Sequence, residues 1–209
     1  MVNEMNIDDY SLWINFESSA GLADELGIYS TCIDGTISCF DCGDNEQIAG
    51  KLRLIYLDLY TAYNAKEDVY GLFDMRSETE PFYSALFDID TGAFKTEVED
   101  LFGGEIWGTN LLVFDRLEIL PEFRGKGIGP ACIRRCLQQY AHGFDLVALK
   151  CFPLQFEPKQ VSEGEWRTKM KLEKFAKNRK KSFEKLKKYY GSVGFTLVPG
   201  TDFMVFYSG

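Results

Sequence analysis

Histidine is almost missing from this chain: His142 is the only one among 209 residues. A structural zinc site ordinarily takes four cysteine or histidine ligands. The six cysteines give one Cys-x-x-Cys pair, Cys39 and Cys42, with Cys32 seven residues earlier and no second pair. No metal is therefore expected, and the cysteines read as plain thiols. Long apolar runs are missing too: no stretch approaches the ~20 residues that cross a bilayer. Met1 to Tyr10 carries Glu4, Asp8 and Asp9 where a secretory leader would be basic and then apolar. These absences point to a cytoplasmic protein with reduced thiols and no membrane partner. Linkers, repeats and low-complexity tracts are absent as well, so 209 residues with 45% hydrophobic content read as one domain with a full core.

What the chain has in excess is acid, unevenly placed. The net charge is −9, but residues 1–110 hold 22 acidic and 5 basic side chains, whereas residues 159–209 hold 5 and 12. An acidic front half steers amines, polyamines or lysine-rich partners toward a site on it, or simply keeps the protein soluble.

Along the chain, Leu12, Phe16 and Ala20 suggest one or two short helices within residues 7–29. Ile33 to Phe40 reads as extended, Asp41 to Glu46 as a turn, and Ile48 to Ala62 as a central strand with two apolar faces. Tyr70 to Phe87 reads as a helix broken or started at Pro81, and Phe94 to Phe102 as a short helix closed by Gly103 and Gly104. Asn110 to Leu120 is a buried strand ending before Pro121. Cys132, Ile133, Cys136, Leu137 and Tyr140 mark an amphipathic helix, with the two cysteines on its buried face and His142 near its end. Leu146 to Phe156 is strand-like, interrupted by Pro153. Lys159 to Lys188 reads as one long basic amphipathic helix, and Phe195 to Tyr207 as two extended pieces around Pro199 and Gly200.

The stretch richest in chemical meaning is Leu120 to Pro130, Leu-Pro-Glu-Phe-Arg-Gly-Lys-Gly-Ile-Gly-Pro. Without Cβ atoms, Gly125, Gly127 and Gly129 let the backbone take positive φ and converge N–H groups on phosphate oxygens. A helix starting there, with Pro130 in its first turn, adds free amides and the positive end of its dipole. The spacing fits neither the Gly-x-Gly-x-x-Gly dinucleotide fingerprint nor the Gly-Lys-Ser/Thr triphosphate loop. Arg124 to Gly129, preceded by Pro121, resembles the acyl-coenzyme A loop of the GNAT superfamily of N-acetyltransferases. About 60 residues on, Tyr189-Tyr190-Gly191-Ser192-Val193-Gly194-Phe195 is similar to that family's aromatic-Tyr-x-x-x-Gly-Phe segment.

The resemblance covers about 110–206 and implies a mixed, mostly antiparallel α/β (α+β) sheet flanked by helices, with a splayed-strand cleft for acyl-CoA. The N-terminal part would shape the acceptor site. It implies acetyl transfer from acetyl-CoA, as co-substrate and without metal, to a primary amine: a small cationic amine, a protein lysine or an N-terminus. Asp115 is the first candidate base and Glu118 the second; on a regular strand Asp115 shares a face with Leu117 and Ile119, and Glu118 points the other way. The alternative for Asp115 is an ion pair with Arg116 or another cation. Tyr190 is the candidate acid, with Tyr189 as its substitute, and a phenol is protonated at neutral pH. The backbone of Leu117, Glu118 and Ile119 would pair with the ligand's amides. Gly125, Lys126, Gly127, Ile128, Gly129 and Pro130 would contact the pyrophosphate, with Arg124 capping it. Lys126, or Arg179 and Lys180, would either meet the 3′-phosphate or form a solvated face. Two other classes stay open: a non-catalytic acyl-CoA sensor, and a nucleic-acid or ribosome partner using the 159–188 helix, which the net negative charge disfavours. A homodimer is left open.

Overall fold

The computed structural model describes residues 11–22, 26–41, 43–104, 106, 110–141, 146–158 and 164–207. His142, Cys42 and the start of the basic segment, residues 159–163, lie outside them. Seven strands, β1 (Ser11–Ala20), β2 (Ser30–Phe40), β3 (Glu46–Leu57), β4 (Leu111–Ile119), β5 (Leu146–Lys150), β6 (Thr196–Leu197) and β7 (Phe203–Phe206), form one sheet in the order β1-β2-β3-β4-β5-β7-β6. Every neighbouring pair is antiparallel except β4 with β5. The class is mixed α+β.

Helices cover both faces, which is why the central strands read as nearly unbroken apolar runs. On β4, Leu111 and Val113 join a cluster with α1 (Leu59–Asn64), α2 (Val69–Asp74), α3 (Glu80–Leu86) and α4 (Thr96–Glu99). Leu112 and Phe114 join the opposite cluster, with α5 (Ile128–Tyr140), α6 (Glu165–Met170) and α7 (Arg179–Gly191). The helical period of α5 buries Cys132, Ile133, Cys136 and Leu137 on one side. Burial pushes the Cys132 thiol up to about 11 and that of Cys136 to about 12, so both stay neutral and pack as small apolar groups. The five described cysteines are all buried free thiols. Among the described residues, no helix is long and apolar enough to cross a membrane.

Four sequence expectations need correction. Residues 11–20 form a strand, because the four-residue spacing of Leu12, Phe16 and Ala20 is also twice the strand period; Ile14 and Phe16 pack on the core while Trp13, Asn15 and Glu17 are exposed. β3 ends at Leu57, where the Asp58 carboxylate accepts the Thr61 amide and starts α1. β5 ends at Lys150, and Leu154–Phe156 beyond Pro153 is a 3-10 turn. The long basic helix is broken: α6 ends at Lys171, whose φ is 46°, and α7 restarts at Asn178, whose side chain accepts the Lys181 amide.

Candidate functional site

The one parallel pair in the sheet is short. β4 and β5 are in register only from Leu111–Leu146 to Phe114–Leu149. Past that point β5 has one residue left, Lys150, paired with Phe203, while β4 runs on through Asp115 to Ile119. The gap between them is a cleft of about 220 Å³ that reaches both helical layers. Pro81 and Phe82 line it from one side, Leu154 and Tyr190 from the other, and Phe114, Asp115 and Leu117 from β4.

Asp115 sits where β4 is irregular. Arg53 pairs with Arg116 and Leu54 with Phe114, so Asp115 is the extra residue of a β-bulge. The bulge shifts the alternation: Leu112 and Phe114 before it, and Leu117 and Ile119 after it, all pack on the same cluster. The regular two-residue period that placed Asp115 on one face with Leu117 and Ile119 therefore fails at Asp115. Among the described residues, no hydrogen bond or ion pair holds its carboxylate. Arg116, the first partner expected for an ion pair, turns instead to Glu157 and Glu118. Burial lifts the Asp115 pKa above the ordinary aspartate value, Arg116 opposes that, and Glu78 adds to it.

Main-chain groups on the open side of β4 follow from the ladder. Leu120 N–H donates to Ala49 O at 2.9 Å. Hydrogen-bonded pairs alternate in an antiparallel ladder, so Glu118, opposite Lys51, bonds to β3, and Leu117 and Ile119 point their groups toward the cleft. Of the three residues expected to offer backbone to a ligand, Glu118 is turned away. Its side chain is engaged as well: Oε1 accepts from Arg116 at 3.1 Å and Oε2 from the Trp166 indole at 2.7 Å. The Ile119 carbonyl accepts from Arg124 Nε at 2.7 Å, which leaves the Leu117 N–H and C=O and the Ile119 N–H on the open edge.

The glycine turn follows β4 directly. Leu120, Phe123 and Ile128 are buried on either side and anchor it, while Gly125 and Gly127 stand exposed with φ of 76° and 77°. A Cβ on either would meet nothing within 4 Å, so the outer side of the turn is open. Gly127 is the N-cap of α5, whose first helical bond is Ala131 N–H to Gly127 O at 3.1 Å. The amides of Gly125, Gly127, Ile128 and Gly129 donate to no acceptor among the described residues. With the positive end of a 13-residue helix beside them, these amides are chemically suited to an anion. Gly129 differs from the other two: it is buried and helical, and a Cβ there would land on the Tyr189 hydroxyl. Its missing side chain makes room for Tyr189.

Arg124 is drawn inward. Besides Ile119 O, its guanidinium donates to Met170 O at 2.7 Å and lies 4.5 Å over the Phe175 ring. It ties α6 and the turn after it to the end of β4, so the expected cap on a pyrophosphate becomes a brace. Arg179 and Lys180 line a separate hollow of about 330 Å³ with Cys151 and Asp202, away from the glycine turn. Lys126 lies on the turn itself, close enough to β2 for its charge to favour the Cys39 thiolate against the burial that raises that thiol's pKa.

Tyr190 and Tyr189 end α7, stacked edge to face at 5.2 Å. Tyr190 lines the cleft, and its hydroxyl makes no hydrogen bond among the described residues. Burial, then its neighbours Tyr189 and Cys151, hold its phenol well above the ordinary value, so it stays protonated. Tyr189, pushed up to about 12 chiefly by burial, serves the α5 contact.

Sequence reasoning missed the polar cluster at the cleft's mouth. Arg116 joins Glu157 through both of its terminal nitrogens and Glu118 through one, and Arg167 bonds Glu157 at 3.1 Å. Lys51 lies 4.7 Å over the Trp166 ring. Burial opposes the charge on Arg116, but the two carboxylates outweigh it and raise its pKa. Burial likewise disfavours the Glu157 carboxylate, yet Arg116 and Arg167 hold its pKa below the ordinary value. The only local signal was an arginine and a glutamate inside an apolar strand, since Glu157 is 41 positions from Arg116.

No protein-family model, curated protein or solved structure matches this chain.

Proposed function

We propose that the chain is an N-acetyltransferase of the GNAT type, moving an acetyl group from acetyl-CoA to a primary amine. One arrangement carries this reading: from the cleft that Asp115 and Tyr190 line, β4 runs on past main-chain groups without a strand partner to a turn whose amides, like the Asp115 carboxylate, find no hydrogen-bond partner among the described residues. A diphosphate suits the amides of Gly125, Gly127, Ile128 and Gly129, with Lys126 beside them and Pro130 contributing its ring. An amide-bearing arm suits the open edge of Leu117 and Ile119 as an added strand would. The thioester then lies between Asp115 and Tyr190.

The step needs a neutral amine, a polarised carbonyl and a proton for the leaving thiolate. Asp115 takes the ammonium proton, and its raised pKa makes it a better base than an exposed aspartate. The amine nitrogen bonds to the thioester carbon, and a β4 N–H polarises the carbonyl oxygen. As the carbon–sulfur bond breaks, Tyr190 gives its proton to the thiolate, and the second proton that the nitrogen loses in becoming the amide replaces it. Glu118, bound to Arg116 and Trp166, supports the wall in this scheme. The acid-rich layer of α1–α4 suits a cationic acceptor, a small amine or a protein lysine or N-terminus.

Thiol release from acetyl-CoA across a panel of primary amines tests the proposal. Acceptor-dependent release is expected. Coenzyme A binding without release favours an acyl-CoA sensor, and no binding at all removes both readings.

A further inference from the structure

The charges around the β4–β5 cleft do not all cancel. In the clamp at its mouth, Arg116 and Arg167 are set against Glu157 and Glu118, two guanidinium groups against two carboxylates. Apart from the clamp and Asp115, two charged side chains line the opening, Glu78 and Lys150. Among the described residues, neither has an ion-pair partner. Both belong to the face of the sheet that α1–α4 cover. Glu78 directly precedes Thr79, the N-cap of α3, whose fully buried hydroxyl pins the turn by donating to Phe73 O at 2.7 Å. The Glu78 carboxylate accepts from the hydroxyl of its neighbour Ser77 at 3.1 Å, and its charge reaches Asp115. Lys150 ends β5: Ala148 packs in the α1–α4 cluster and Leu149 in the opposite one, so the two-residue period returns Lys150 to the α1–α4 face. Its ammonium lies 5.6 Å from the centre of the Phe203 ring, which packs edge to face on Phe82, a wall of the cleft, at 4.9 Å.

We propose that the acceptor is a free diamino acid: Asp115 meets the amine that reacts, Glu78 the ammonium that does not, and Lys150 the carboxylate. This narrows the acetyl-transfer reading and rests on it. The uncompensated charges of the cleft select the class, because complementary charge decides between partners of similar shape. A monoamine leaves both Glu78 and Lys150 unmet. A polyamine answers Glu78 but brings a further ammonium against Lys150. A lysine embedded in a protein chain has lost both its α-ammonium and its α-carboxylate to peptide bonds. A diamino acid carries two ammonium groups and one carboxylate, the mirror of Asp115, Glu78 and Lys150, and its net positive charge suits the acidic layer. In the transfer, the acetyl carbon gains the reacting nitrogen and loses the thiol sulfur, while the carboxylate and the second ammonium keep their charges.

Two readouts test this: thiol release from acetyl-CoA, and calorimetric binding of the acceptor in the presence of coenzyme A. The ligands are lysine and ornithine, the diamines cadaverine and putrescine, which lack the carboxylate, and 6-aminohexanoate, which lacks the second amine. The native chain should favour the diamino acids over both truncated sets by about tenfold in kcat/KM and in Kd, as expected for losing a contact to a charged group. Lys150→Met, with its fold checked by circular dichroism, should lose about that factor for lysine and 6-aminohexanoate and bind the diamines more tightly. Lys150→Glu should turn the preference over to the diamines, and Glu78→Gln should weaken lysine and the diamines more than 6-aminohexanoate. A native chain that takes diamines or a lysine-containing peptide as well as free lysine, or a Lys150→Met variant that keeps the native selectivity, overturns the proposal; release with those other acceptors would leave acetyl transfer standing. Lysine binding that depends on Lys150 without any thiol release upholds the ligand class and overturns the transfer chemistry instead. Neither binding nor release overturns both.

Discussion

At the scale of single residues, Asp115 and Gly129 each owe their role to a neighbour that sequence spacing does not reveal. Asp115→Asn keeps the shape and removes the base of the proposed reaction, which predicts a fall in acceptor-dependent turnover of about 10²–10⁴-fold with coenzyme A affinity little changed. The same variant has a stability signature of fixed sign. A carboxyl whose folded pKa lies above its unfolded value binds more protons when folded, so its cost appears as pH rises from the unfolded to the folded pKa. Asp115→Asn should therefore equal or exceed the native chain in urea unfolding at neutral pH, and the difference should close in acid. Gly129→Ala drives a methyl group into the Tyr189 hydroxyl and should cost about 1–3 kcal/mol. Adding Tyr189→Phe should recover much of that loss in thermal unfolding. A phosphate-contact role alone predicts no rescue. The three glycines look equivalent as letters, yet two supply positive φ on an open turn and the third admits a ring from α7, some sixty positions away.

Among elements, the clamp of Arg116, Glu157 and Arg167 joins β4, the turn after β5 and α6 at the mouth of the cleft. Glu157 is 11% exposed and Arg116 26%, so Glu157→Ala leaves two guanidinium groups short of a partner and should cost up to about 3–5 kcal/mol. The Glu157 pKa is held down, so its contribution is present above the ordinary glutamate range and is lost as pH falls through the lowered value. Urea midpoints of the native chain and Glu157→Gln should accordingly converge only once pH has fallen below the lowered Glu157 value; a gap that persists after the carboxyl is protonated would mean that packing, not charge, holds the clamp. Strand, glycine turn and helix from Leu111 to Tyr140 were legible because local signals agree: an apolar run, a proline, positive-φ glycines and a 3.6-residue period. β1 was misread because a spacing of four suits two periods, and the basic segment because Leu172 and Phe175 keep helical spacing across a 3-10 turn. The clamp and the bulge at Asp115 depend on tertiary pairing, which no local pattern records.

For the whole molecule, the charge asymmetry of the sequence becomes a polarity across the sheet. The layer of α1–α4, spanning residues 58–104, carries 11 acidic and 3 basic side chains, while α6, α7 and the turn between them put lysines and arginines on the opposite face. The β4–β5 cleft passes between the two, with Glu78 on the acidic side and the glycine turn following β4 on the other. On the proposed reaction, a cationic acceptor and an anionic acyl donor would each be drawn toward a different mouth of one opening. The polarity yields a prediction separable from contact chemistry. Glu67, Asp74 and Glu97 do not line the cleft, so changing all three to Lys leaves the reacting groups untouched. That variant should lower kcat/KM for a cationic amine several-fold at low ionic strength, leave kcat and the response to a neutral acceptor nearly unchanged, and approach the native chain as salt shortens the ~10 Å screening length. A loss of equal size at high salt would place those carboxylates in direct contact with substrate, and no loss at low salt would reduce the acidic layer to a solubilising surface.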